Sequence, residues 1–123
     1  MTKRLASVWL ALLLALAACG AAAPGTPADP AAEGQRLFAL WCSGCHGVEP
    51  GVPDTLGPNL AGVATRAAAN PDGLSAADWL YRETATPNAT IAPGYSPGLM
   101  PAYEQSLRPD QLDALVAYML TLE

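Results

Sequence analysis

Cations are scarce in this chain: of 123 residues only 6 are Lys or Arg, against 11 Asp or Glu, for a formal net charge of −5. Lys3 is the one lysine and stands beside Arg4 at the start, so the rest of the chain has only Arg36, Arg66, Arg82 and Arg108 as bases. A chain this poor in positive charge cannot neutralise a phosphate backbone, which excludes nucleic acid as a partner. It cannot dock through a ring of lysines either, so electrostatic docking calls for a basic surface on the partner. There is no internal repeat and no convincing strand alternation, which points to an all-α domain. No apolar run is long enough for a comfortable membrane span; the longest, Leu5 to Ala18, falls short.

That run follows the basic start Met1-Thr2-Lys3-Arg4 and reads as a secretory leader over residues 1–18. It ends in Leu16-Ala17-Ala18-Cys19-Gly20, which resembles the lipobox of bacterial lipoproteins, where a diacylglycerol is added to the thiol and cleavage falls just before the cysteine. Cys19 is therefore the expected lipidation site, with an ordinary signal cut after a small residue such as Ala23, or an uncleaved short anchor, as the alternatives. Residues 19–28, rich in Ala, Gly, Pro and Thr, read as a flexible tether. Fully extended it reaches only roughly 35 Å, which keeps the following domain, residues 29–123, near a membrane surface. The roughly 105 residues after the leader are marginal for a self-sufficient core, so a large bound group is expected to complete it.

Cys42-Ser43-Gly44-Cys45-His46 supplies that group. The spacing C-x-x-C-H is the one that attaches a c-type haem, two thiols one helical turn apart reaching two vinyl groups and the next imidazole meeting the iron. His46 is the only histidine, so it has no competitor as the nitrogen ligand. The other readings of the pair are a redox dithiol, half of a zinc site and a disulfide. A thioredoxin-like dithiol wants a strand before it, and none is foreseen. Tetrahedral zinc needs a fourth Cys or His, and only Cys19 remains. With Cys19 on lipid and Cys42 and Cys45 on haem, no thiol is left for a disulfide.

Asp29 before Pro30 predicts a helix start, an N-cap carboxylate followed by proline at the first position, and the helix runs through Leu37, Phe38 and Leu40 into the haem motif. Gly34 inside it costs about 1 kcal/mol relative to alanine and suggests that another backbone passes close by. Residues 47–57 read as a loop and 59–68 as a short helix. Pro71-Asp72-Gly73 is a turn, and Ser75-Ala76-Ala77-Asp78 has the form of a capping box opening a helix through Trp79, Leu80 and Tyr81. The Pro, Gly and Asn between Thr86 and Met100 argue for an irregular loop. The last helix begins at Pro109, with Leu112, Leu115, Val116, Met119 and Leu122 on one face and a poor N-cap, Arg108, that predicts a frayed first turn.

Four separated motifs give the domain its resemblance to class I c-type cytochromes, covering roughly Asp29 to Leu122: Cys42-Ser43-Gly44-Cys45-His46-Gly47, Gly57-Pro58-Asn59-Leu60, Leu99-Met100-Pro101 and Leu115-Val116-Ala117-Tyr118. The resemblance implies three to five helices around one covalent haem c. It implies that the Pro58 carbonyl accepts the ring N–H of His46, fixing the imidazole and making its other nitrogen more electron-donating. It also implies that Met100 is the second axial ligand and metal-ligating partner of His46, whereas Met119 is explained by core packing. Gly34, Phe38, Leu115 and Tyr118 match the crossing of the family's first and last helices. Arg66 stands where relatives bond a haem propionate. Trp41, Trp79, Tyr81 and Tyr95 are aromatics that pack on a haem or in a core. The stretch from Tyr81-Arg82-Glu83 to Met100-Pro101 is similar to the cytochrome c domain fused to subunit II of caa3-type oxidases.

These readings predict a membrane-tethered monohaem carrier of single electrons on the outer face of a bacterial cytoplasmic membrane, or a fixed haem subunit of a complex there. Alternative complex III, a terminal oxidase and a photosynthetic reaction centre are the candidate partners. The rival is a haem subunit of a periplasmic dehydrogenase or a peroxidase-like enzyme with a displaceable methionine. No catalytic residues are foreseen, and the protein is expected not to be an enzyme in its own right.

Overall fold

The computed structural model describes residues 29–123, and the expected leader and Cys19 lie outside them. Four α-helices follow in order, α1 (Pro30–Trp41), α2 (Val63–Ala68), α3 (Ala76–Ala85) and α4 (Pro109–Met119), with 3₁₀ turns at Pro87–Ala89 and Tyr103–Gln105. There is no strand among the described residues, and none of their helices is long and apolar enough to cross a membrane.

α1 starts as its sequence dictates. Asp29 Oδ1 accepts the Ala31 N–H at 3.0 Å, and Pro30 occupies the position where a missing N–H goes unnoticed. Its inner face, Gly34, Leu37 and Phe38, lies across the inner face of α4, whose Leu112, Ala114, Leu115, Val116 and Met119 are buried. Gly34 is the crossing point: a Cβ there would lie 1.9 Å from the Ala114 carbonyl oxygen and 2.8 Å from Tyr118 Cβ. The close backbone expected from that glycine is therefore α4 itself. Phe38 meets the Tyr118 ring at a centroid distance of 5.3 Å, tilted by 57°. Burying each Leu or Phe of this interface contributes about 1.5–3 kcal/mol, which outweighs the propensity penalty of one glycine.

α3 packs on α4 through Leu80, and α2 adds Val63 and Ala67 to the same core. The Ala64 N–H donates to the Leu122 carbonyl at 3.1 Å, so α2 is tied to the end of the chain. Ser75 caps α3, its hydroxyl accepting the Asp78 N–H at 3.1 Å and donating to the Asp78 carboxylate at 2.6 Å. The box is thus half formed, because Asp78 takes the hydroxyl and not the Ser75 backbone.

Three sequence expectations need correction. α2 begins at Val63, not near Asn59, because the Asn59 side chain is engaged in loop bonds and Gly62 at φ 71 breaks the helix N-terminally. The first turn of α4 is closed: Gln111 Oε1 accepts the Arg108 N–H at 3.1 Å, and the Arg108 guanidinium holds Asp110 at 2.7 and 3.0 Å. The segment between Thr86 and Met100 is irregular except for the 3₁₀ turn Pro87–Ala89, and a second such turn, Tyr103–Gln105, lies just beyond it.

Candidate haem site

The end of α1 delivers the two cysteines. The Cys42 N–H closes the helix on the Phe38 carbonyl at 2.9 Å, and the chain then coils once more, with Cys45 N–H and His46 N–H both donating to the Cys42 carbonyl at 3.0 Å. Cys42 is buried and Cys45 exposed, so one thiol faces the core and the other the rim. Burial, together with the neighbouring Cys45, pushes the Cys42 thiol up to about 11. The strand that a thioredoxin-like dithiol wants before its pair is absent here, since Cys42 follows directly on α1 and no strand occurs among the described residues. Among the described residues, no group of three His, Cys, Asp or Glu side chains stands close enough to hold a metal ion, and Cys19 lies outside them.

Loop 47–62 is folded back onto this turn. Gly57 N–H donates to the Cys45 carbonyl at 2.9 Å and Leu60 N–H to the Gly47 carbonyl at 2.8 Å. The loop is knotted internally by Asn59, whose amide donates to the Glu49 and Val52 carbonyls at 2.9 and 2.8 Å while its oxygen accepts the Ala61 N–H at 2.8 Å. The clamp brings the Pro58 carbonyl 2.8 Å from His46 Nδ1. A carbonyl can only accept, so Nδ1 carries the proton and Nε2 keeps its lone pair for a metal. Gly57 lies against the imidazole; a Cβ there would sit 2.5 Å from His46 Cε1. Any larger residue would push the ring off its carbonyl.

Met100 arrives on the long loop before α4. Two side chains pin that loop: Asn88 Oδ1 accepts the Gly98 N–H at 2.6 Å, and the Tyr95 hydroxyl donates to Asp54 Oδ2 at 2.7 Å. Asp54 also accepts the Asn59 N–H at 2.8 Å, so it joins the histidine loop to the methionine loop. That backbone bond first, and the Tyr95 hydroxyl second, hold its carboxyl below the usual range.

Cys42, Cys45, His46, Pro58 and Met100 all line one cavity of about 500 Å³. Its floor is apolar, made by Phe38, Leu80 and Leu115 among others, and Met119 of α4 also reaches its wall. The donor set is one imidazole nitrogen, one thioether on the pinned loop and two thiols a turn apart. These residues fit a covalently held haem, and the chain from Cys42 to Met100 matches the cytochrome c family model, which spans residues 31–123.

The chain belongs to the cytochrome c family. Relatives are consistent with that. It is 44% identical over 50 residues to cytochrome c2 of Rhodoblastus acidophilus, covering 41% of this chain and 45% of that protein. It is 29% identical over 105 residues to cytochrome c of Ginkgo biloba, covering 76% of this chain and 88% of the relative, and equally identical to that of Guizotia abyssinica, with 90% of the relative covered. As a cytochrome c it carries covalent haem c and serves haem-based electron transfer.

Within this cytochrome c, Arg66 is placed differently from the other expected site residues. Its guanidinium donates to the Ala61 and Asn59 carbonyls at 2.6 and 3.0 Å and is not part of the cavity wall. Trp41, Trp79 and Tyr95 line the cavity, whereas Tyr81 packs against the core without reaching it. Sequence reasoning missed two contributors. Tyr103 is buried on the cavity wall, donates to the Trp41 carbonyl at 2.8 Å and stacks edge-on against Trp41. Asn59 stands in the sequence only as part of a motif; its signal is that it is the one amide side chain of loop 47–62, able both to donate to and to accept from backbone groups.

Proposed function

We propose that this cytochrome c is a lipid-anchored, six-coordinate monohaem carrier of single electrons. It works on the outer face of a bacterial cytoplasmic membrane, either shuttling or as a fixed haem subunit of a complex. The observation that supports this reading is that His46, its Nδ1 turned to the Pro58 carbonyl, and Met100 line the same cavity as Cys42 and Cys45. The haem, once bound, supplies a one-electron Fe(III)/Fe(II) couple.

Each residue then has a separate task. Cys42 and Cys45 fix the group covalently, so it is not lost from a small core. His46 binds through Nε2 while Pro58 holds its ring in one orientation. Met100 would be the second protein ligand to the iron, and its soft thioether would favour the ferrous state and raise the potential. Two such side-chain ligands would leave water and small oxidants no open coordination site, which suits a carrier and not an enzyme. Arg66 stiffens the loop bearing Pro58, and its remaining N–H donors are the proposed contact for a haem propionate.

The leader-like run Leu5 to Ala18 and Cys19 support the lipid anchor. Likeness to the caa3 subunit II domain supports a partner in the respiratory chain, alternative complex III or a terminal oxidase; a photosynthetic reaction centre is the other candidate. The net negative charge favours a basic docking surface on that partner. Optical spectra of the native, detergent-extracted protein test the reading. A low-spin spectrum in both oxidation states, unchanged by carbon monoxide, is the expected result. A high-spin ferrous form that binds carbon monoxide would instead mean an open iron and favour the peroxidase-like rival.

A further inference from the structure

The cavity wall carries one carboxylate among the described residues. Glu83, on α3, lines it with a side chain only 19% exposed. Asp and Lys are absent from the lining, and so is Arg. The carboxylate is not alone, however: Arg82 donates to Glu83 Oε1 through Nη2 at 2.8 Å and through Nε at 3.1 Å. The same guanidinium also donates to Asp72, which lies in the turn before α3 and is 42% exposed. One cation is therefore divided between two carboxylates, and the triad keeps a net negative charge with its least exposed member facing the cavity.

We propose that Asp72, Arg82 and Glu83 form an electrostatic triad that sets the reduction potential of the bound haem, Glu83 acting directly and Asp72 indirectly by drawing Arg82 away from it. This rests on the reading of the cavity as the haem site. A negative charge in a poorly solvated wall stabilises the more positive, ferric form and so lowers the potential; a cation does the reverse. The triad thereby offsets part of the upward shift contributed by a methionine ligand. Arg82 limits how far Glu83 can pull, and Asp72 limits Arg82. The proposal assigns Glu83 a role distinct from packing, because α3 already buries Leu80, Thr84 and Ala85 on its inner face.

The signs separate this role from a structural one. Glu83→Gln is expected to raise the midpoint potential, changing the ferric-to-ferrous ratio at fixed poise by about tenfold, or about 59 mV for a one-electron couple. Arg82→Gln is expected to lower it, and Asp72→Asn to raise it by less than Glu83→Gln does. Potentiometric titration of the haem-loaded protein reads all three, and thermal unfolding of the same samples reads folding separately. Asp72→Asn, at an exposed carboxylate, keeps the test open if Arg82→Gln does not fold. Potentials equal to wild type in Glu83→Gln and Asp72→Asn overturn the triad, as does a fall in either. A wild-type protein without covalent haem would overturn the site reading itself, an outcome the titration distinguishes because no couple would be seen at all.

Discussion

Replacing Gly57 by alanine tests the geometry of the histidine with one methyl group. The glycine lacks a left-handed φ, so the backbone accepts an L-residue there and any effect comes from contact alone. The added Cβ would stand 2.5 Å from His46 Cε1, 2.9 Å from Nδ1 and 3.0 Å from Nε2. Ordinary contact begins near 3.4 Å, so the imidazole must retreat by about 0.9 Å. Its bond to the Pro58 carbonyl is 2.8 Å long, and a retreat of that size away from the carbonyl carries it beyond hydrogen-bonding distance. The loss of that bond costs about 0.5–1.5 kcal/mol and the overpacking about 1–3 kcal/mol, for a total of about 1.5–4.5 kcal/mol. Ferric-state NMR, whose hyperfine shifts follow the axial ring's orientation, and thermal unfolding of the haem-loaded variant check it. We expect a rotated imidazole and a melting temperature lower by roughly 10–20 °C for a domain of this size. An alanine variant with wild-type hyperfine shifts and melting temperature would refute the claim that Gly57 is required by the ring.

Three further outcomes are expected. Gly34→Ala drives a Cβ to 1.9 Å from the Ala114 carbonyl oxygen at the α1–α4 crossing, where backbone on both sides cannot give way; it should destabilise by about 3 kcal/mol or more despite the better helix propensity of alanine, as denaturant unfolding would read. Met119→Ala removes a buried side chain, so it should cost about 2–5 kcal/mol in the same assay while leaving the axial-ligand spectrum intact. The carboxyl of Asp54 is held below its ordinary range, mainly by the Asn59 N–H and then by Tyr95; its contribution to stability is present above the unfolded carboxylate pKa and is lost as pH falls through the folded one, so Asp54→Asn should flatten the acid limb of a stability-against-pH profile. An unchanged acid limb in that variant would show that the two loops are held together by other bonds.

Much of this domain was legible because local chemistry and tertiary need agree. Asp29 and Pro30 start α1 as their side chains demand, and the apolar stripe of α4 becomes the buried face on which Phe38 and Leu37 rest. Gly34 announced its crossing through a helix penalty that only close packing repays. The misread boundary of α2 has a different origin: Asn59 competes for backbone groups with its own amide, a choice that depends on where Glu49 and Val52 lie in space. Arg108 looked like a poor cap because its own side chain is, yet Gln111, three residues on, accepts its N–H. At the site, the spacing of Cys42, Cys45 and His46 carries its chemistry locally and could be read directly. The pinning of the Met100 loop could not, since the Tyr95 to Asp54 bond joins residues 41 positions apart. Tyr103 and Glu83 were equally silent, for nothing in their neighbours says that the cavity lies beside them.

The central claim is that His46 and Met100 meet on one iron, and NMR of the ferrous protein with labelled methionine methyl groups tests it most directly. A methyl bonded through sulfur to the iron lies over the haem face, where the ring current moves its signal far upfield. The account predicts one such signal, absent from Met100→Ala and retained in Met119→Ala. No upfield methyl in the wild type, or one that disappears with Met119, would contradict it.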